Sequence, residues 1–147
     1  NSIREIQTQA VLKILSPKIL LTIKENKLGV PVSNSSIKPE IVNYFTNNFM
    51  AEFITKGDPD LIIDAIINTR SLSNKPNQYD IFQVFGDITI SISSASSGVL
   101  LLTKSFNKVQ GSDFNSNEEA ANQSLKKIKE LVNSDFLPQI IDAITID

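Results

Sequence analysis

Three aspartates, Asp58, Asp60 and Asp64, come closest in this 147-residue chain to a spacing that does chemistry. Carboxylates at such separations suit a hard cation such as calcium or magnesium. Their order follows no calcium loop, however, and Asp58 and Asp60 flank Pro59 at a turn, where aspartate is favoured for its bonds to nearby backbone. The turn reading is therefore preferred, with Asp58, Asp60 and Asp64 kept as second-rank metal candidates. Asp64 interrupts an otherwise apolar run, LIIDAII, and a charge without a partner inside a sheet is costly. It is expected at an edge, or on the face with Ile62 and Ile66, paired with Arg70 or a lysine.

The other routes to catalysis are closed by composition. The chain has no histidine and no cysteine, which removes the commonest general base at neutral pH, the commonest transition-metal ligand and the thiolate nucleophile. A Ser-Lys pair stays formally open among so many serines, yet no motif singles one out. The five glycines are scattered and build neither G-x-G-x-x-G nor G-x-x-x-x-G-K-[ST], so no phosphate cradle is expected. Asn34-Ser35-Ser36 and Asn122-Gln123-Ser124 satisfy a glycosylation sequon, as three-residue motifs do by chance. A net charge of -2 offers no field for polyanions, and Lys126, Lys127 and Lys129 read as the solvated face of a helix. No catalytic residue and no cofactor is expected, and nucleic acid is not a partner.

The elements that hold these residues follow from periodicity. In 79–106, YDIFQVFGDITISISSASSGVLLLTKSF, the residues Phe82, Val84, Ile88, Ile90 and Ile92 fall on every second position, so one face is apolar and the other wet. This is a long hairpin turning at Ala95–Gly98, with Gly98 in the left-handed conformation. A membrane-spanning hairpin would also alternate, but a single hairpin flanked by amphipathic helices is better read as a sheet under helices. Upstream, Lys18–Lys24 is a compact strand, and Glu25–Gly29 turns the chain into a polar loop with Pro31 and Ser33–Ser36. Ile41, Val42, Phe45, Phe49 and Phe53 make one stripe of a helix over 39–56, with Gly57 as its C-cap. Leu61–Ile67 is apolar almost throughout and is the candidate middle strand, reached by a right-handed βαβ crossover. Ser116 and Glu119 form a capping box for a last helix over 117–144, with Ala121, Leu125, Ile128 and Val132 buried and a kink at Phe136-Leu137-Pro138.

These elements predict an α+β two-layer sandwich: a mixed four-stranded sheet in the order β-α-β-β-β-α, with both helices on one face. Residues 16–147 form the single domain. Residues 1–15, with Ile3, Ile6, Ala10, Val11 and Ile14 at helical spacing, form an N-terminal helix that either docks on this domain or ends a preceding one. The absence of an initial Met suggests a mature product or a fragment. No run approaches the length of a transmembrane helix.

Taken together, PKILLTIKEN, the helix with Phe45 and Phe49, DPDLIIDAII, the hairpin GDITISISSASSGVLLLTKS and the helix GSDFNSNEEAANQSLKKI resemble a group of bacterial envelope domains. The group comprises the middle domain of flagellar assembly protein T, the N-terminal domain of TolB and the curli-secretion lipoproteins. Gly98-Val99 after the hairpin turn and Gly111-x-Asp113 followed by Ala120 and Ala121 carry the likeness; Ser97 in place of a threonine and Asp64 in place of a glycine depart from it. The resemblance implies a non-enzymatic scaffold of the periplasm or outer membrane, acting in protein–protein assembly with other envelope proteins or with itself. Loops 26–38 and 71–78 and the exposed face of the hairpin are the expected contact regions, with Asn34, Ser35, Asn74, Lys75 and Asn77 as interaction candidates. The alternative is a small-molecule site in an apolar pocket between the sheet and helix 39–56.

Overall fold

The computed structural model describes residues 16–145, and the N-terminal helix expected over 1–15 lies outside them. Six strands form one sheet: β1 (Lys18–Lys27), β2 (Val30–Val32), β3 (Glu52–Phe53), β4 (Leu61–Ser71), β5 (Phe82–Ser94) and β6 (Leu100–Asp113). Helix α1 (Lys38–Phe49) follows β2, and α2 (Asn117–Leu131) follows β6. Beyond α2 come a π-helical turn, Val132–Phe136, and the short α3 (Gln139–Thr145). The sheet runs β2-β1-β4-β5-β6, with β3 pairing the start of β1. β1 and β4 are parallel and adjacent, while β4, β5 and β6 form an antiparallel meander. The fold is the expected α+β sandwich, and Leu61–Ser71 is the middle strand.

The alternation in β5 has its expected consequence: Val84, Ile88, Ile90 and Ile92 are buried beneath the helices. Ile88, Ile90 and Ile92, with Ile19, Leu61, Ile63, Ala65 and Ile67 from other strands, meet Ile41, Phe45 and Phe49 of α1 and Leu125 and Ile128 of α2 in one core, and Val84 packs with Ala120 and Ala121 in a smaller cluster. Gly98 takes a φ of 71° at the hairpin turn. Ser116 caps α2 by accepting from the Glu119 N–H at 3.1 Å.

Three expectations are corrected. First, the sheet has six strands, not four: β1 continues to Lys27 and returns through Leu28-Gly29, whose φ values of 53° and 83° make the left-handed turn that matches strand twist. Leu28 accepts that conformation because its N–H bonds to Thr69 Oγ1 at 3.0 Å and its side chain packs with Val84, Ala120 and Ala121. Second, the helix stops at Phe49, not Lys56, and Met50 is its left-handed cap, bonded back to Thr46 and Phe45. The chain leaves the helix because residues 52–54 find better backbone partners on β1: Glu52 N–H donates to Pro17 O and Ile54 N–H to Ile19 O, both at 2.9 Å. Third, Phe53 reaches the core from β3, edge-on to Phe45 at 6.4 Å, so Gly57 caps nothing.

What sets the helix layer against the sheet is missing bulk. A Cβ on Gly111 would lie 2.0 Å from Ala120 O and 2.3 Å from Ser124 N; one on Gly86 would lie 2.3 Å from Ser124 Oγ. Ala120, Ala121 and Ser124 supply the small side of this contact and are fully buried, and Ser124 Oγ donates to Val109 O at 2.6 Å.

Gly111→Ala is expected to destabilise the domain by about 3 kcal/mol or more, because the obstructing atoms are helix backbone that cannot step aside. Gly86→Ala meets side-chain atoms and should cost less, about 1–2 kcal/mol, part of it recovered by adding Ser124→Ala. Urea unfolding of the three variants checks the order. At the exposed cap, Met50→Gly should raise stability by about 0.5–1 kcal/mol by relieving the left-handed strain, read as a higher midpoint in the same assay.

Candidate functional site

The sheet face away from the helices is built in rows by the strand register. Thr22, Asp64, Ser91 and Thr103 form one row, and Lys24, Ile66, Thr89 and Ser105 the next. Thr89 and Ser105 hydroxyls pair at 2.8 Å, and Ser91 and Thr103 at 3.1 Å. Asp64 stands exposed among these hydroxyls, on the face with Ile62 and Ile66 as expected. Its expected ion pair is absent: Arg70 instead binds Asp87, and among the described residues Asp64 has no partner. Water solvates a carboxylate on this face, so it requires none. Asp87 is held where two residues of β6 oppose one of β5, its Oδ1 accepting from the Lys108 N–H at 2.9 Å.

The aspartates do not converge. Asp60 Oδ2 accepts from the Lys18 N–H at 2.8 Å and its own N–H donates to Lys18 O at 2.7 Å, which ties the start of β4 to β1. Asp58 sits exposed in the preceding loop. Among the described residues no three acidic side chains are grouped to hold a metal ion. The pocket envisaged under the aromatic helix is filled: Phe45 is fully buried, and Tyr44, Phe49 and Phe53 pack ring to ring around it. Burial there raises the Tyr44 phenol above its usual pKa, with Asp142 adding to the effect.

Two groups of interaction candidates occupy separate regions. Asn34 and Ser35 lie in the loop after β2, beside the outer edge of β1. Ser35 is structural in part: its hydroxyl donates to Glu25 Oε1 at 2.6 Å and accepts from the Ile37 N–H at 3.2 Å. Glu25 follows Ile19, Leu21 and Ile23 on the helix-side face and is only 5% exposed, a position that the period-two pattern of β1 would have disclosed. Beside it opens a cleft of about 340 Å³ lined by Lys27, Asn34, Ser36, Asn122, Lys126 and Lys129 among others. Lys27 is engaged there with Asn122 and Glu118, and Lys129 with Glu40. A second cleft, of about 280 Å³, lies along β1 between Leu21–Ile23 and Ser33, Ser35 and Lys38.

Asn74, Lys75 and Asn77 lie at the end of the sheet where β4 and β6 finish and β5 begins. Asn77 shapes its own loop, its Oδ1 accepting from the Tyr79 and Ile81 N–H groups at 2.8 and 3.1 Å. Asn117 Nδ2 donates to Ser73 O at 2.8 Å and fastens the loop to α2. Lys75 and Asn77 border a cleft of about 220 Å³, and Asn74 is exposed. The same end carries three large exposed apolar residues that periodicity could not flag: Leu72 at 56%, Tyr79 at 68% and Phe114 at 72%.

No family model matches the chain, and no curated protein matches it. Solved structures overlap it weakly. A lipoprotein from Neisseria meningitidis matches at a TM-score of 0.44 and 9% identity, over 80% of this chain and 99% of that one. A minor lipoprotein from Acinetobacter baumannii matches at 0.41 and 17%, over 87% and 91%, and the PelC dodecamer from Paraburkholderia phytofirmans at 0.42 and 9%, over 81% and 88%. Two of these neighbours are thus bacterial lipoproteins. Scores this low describe a similar run of strands and helices and say nothing of a site.

Ser35→Ala should cost about 1–3 kcal/mol, since it strips the Glu25 carboxylate of its hydrogen bond while the carboxylate stays buried. Ser36→Ala, one residue on and exposed, should change stability by less than about 0.5 kcal/mol. Chemical denaturation of the pair separates a structural hydroxyl from a free one.

Proposed function

We propose that this domain is a non-enzymatic docking module of a bacterial cell-envelope protein, and that it meets another protein through the end of the sheet bearing Leu72, Tyr79 and Phe114. The observation that carries the reading is their exposure. Two aromatics and a leucine stand exposed at one end of the sheet, next in sequence to polar residues such as Ser73, Lys75, Asn77 and Asn115, and large apolar side chains among polar ones are what protein interfaces present. Loop 71–78, one of the three expected contact regions, lies at this end. The envelope setting is supported by the resemblance in element order, because strand, helix, strand, hairpin and alanine-bearing helix fold in the sequence on which that resemblance rests. Among the described residues no helix is long and apolar enough to cross a membrane.

The test is site-specific photo-crosslinking in the producing cell, with fractionation of its envelope. A photoreactive residue at Tyr79 should give a discrete adduct in the envelope fraction, and one at Thr103 on the open face should not. Phe114→Ser should reduce the Tyr79 adduct by about tenfold while leaving the melting temperature nearly unchanged. Equal adducts at both positions, or a chain recovered only outside the envelope, would refute the reading; an adduct of twice the chain mass would make the partner a second copy.

A further inference from the structure

The outer edge of β1 is interrupted. β3 pairs with it only at Lys18 and Ile19, and β2 only from Glu25 to Lys27, so among the described residues no strand pairs with Leu20–Lys24 on that side. The flanking bonds show which groups are left. Pro17 O and Ile19 O accept from Glu52 and Ile54, whereas Lys18 O accepts from Asp60 at the head of β4. Odd-numbered residues of β1 therefore turn their backbone outward, and the N–H and C=O of Leu21 and Ile23 point into the gap. The 280 Å³ cleft lies along this stretch.

We infer that this gap is a binding slot for an extended acidic peptide segment of a partner protein, which adds as a short strand between β2 and β3. The claim rests on the docking reading above and adds a second contact to it. Paired outward donors and acceptors two residues apart are matched by another extended backbone and by little else. The slot spans about five residues, or roughly 16 Å. Charge selects the occupant's side chains: Lys38 lines the cleft, Lys24 is exposed on the open face of the same strand one residue beyond it, neither has an ion-pair partner among the described residues, and no acidic residue lines the cleft.

A second copy of the chain does not fit. Two-fold antiparallel pairing centred on Thr22 would set Ile19 of one copy opposite Glu25 of the other, so that β3 of the first and β2 of the second claim the same space. Only a segment free of its own sheet can enter. The opposite edge, β6, is by contrast blunted by two register shifts and by Lys104 and Lys108.

The test uses the full ¹⁵N-labelled chain and two capped probes, Ac-TVEVEVT-NH2 and Ac-TVKVKVT-NH2. The acidic probe should bind with a Kd of about 1 mM or tighter and slow exchange at the Leu21 and Ile23 amides by about tenfold, the basic probe binding at least about tenfold more weakly. Lys38→Glu, which places an acid in the first turn of α1 where the helix dipole favours it, should keep the fold and weaken the acidic probe about threefold to fivefold. Three results overturn the inference: no change at Leu21 and Ile23 under saturating acidic probe, equal binding of both probes, or exchange there in the free chain already as slow as at Ala65. The last would mean that the chain fills its own slot. Because the readout sits at Leu21 and Ile23, failure here leaves the contact at Tyr79 and Phe114 intact, and the reverse also holds.

Discussion

The close approach of α2 to the paired strands β5 and β6 decides where everything else in this domain can lie. With no side chain on Gly86 or Gly111 and only small ones on Ala120, Ala121 and Ser124, the helix sits against the sheet closely enough for Ser124 to bond to Val109 O. That contact fixes the height of the whole helix layer. Leu125, Ile128 and Val132 then pack with the isoleucines of β4 and β5 in one core, where close contact is what holds a protein interior together. A single added methyl at Gly111 would lift the helix from one end and open that core along its length.

With one face sealed in this way, the domain has three kinds of surface left to work with. On the opposite sheet face hydroxyls and amides pair across the strands, with Asp64 and Ile66 exposed among them. Its Asp64 is exposed rather than buried, so its charge does not strain the fold. The ends and edges are different, for there the sheet runs out of partners. At one end Leu72, Tyr79 and Phe114 stay exposed; along β1 two backbone pairs stay open between two short strands. Both are deficits of packing or hydrogen bonding, and such deficits are where another chain gains most by binding.

Much of the architecture was legible because it depends on local spacing. Period-two alternation from Phe82 to Ile92, the helical stripe Ile41-Phe45-Phe49, the Ser116 cap and the break at Pro138 are each dictated within about a dozen residues. The same logic placed Leu61–Ile67 in the middle, since a strand apolar on nearly every position must be covered on both sides or flanked by neighbours. Glu25 was also within reach, three alternations after Ile19. The misreadings share one cause. Residues 50–56 have a helical composition, and only the backbone groups at Pro17 and Ile19, more than 30 positions earlier in the chain, draw Glu52–Ile54 into a strand instead. Arg70 was likewise expected to pair with Asp64 on its own strand, and the pairing of β4 with β5 brings Asp87 to it instead.

By itself, then, the order of residues determined the class of fold, the inward face of β5, and the exclusion of imidazole and thiol chemistry, because these follow from composition and from intervals of two and three-to-four. Tertiary structure alone decided how near α2 could come to Gly86 and Gly111, how far β2 and β3 would run along β1, and therefore which backbone groups and which apolar side chains would be left facing outward. Those outcomes depend on distances between segments remote in sequence, and no local interval encodes such a distance.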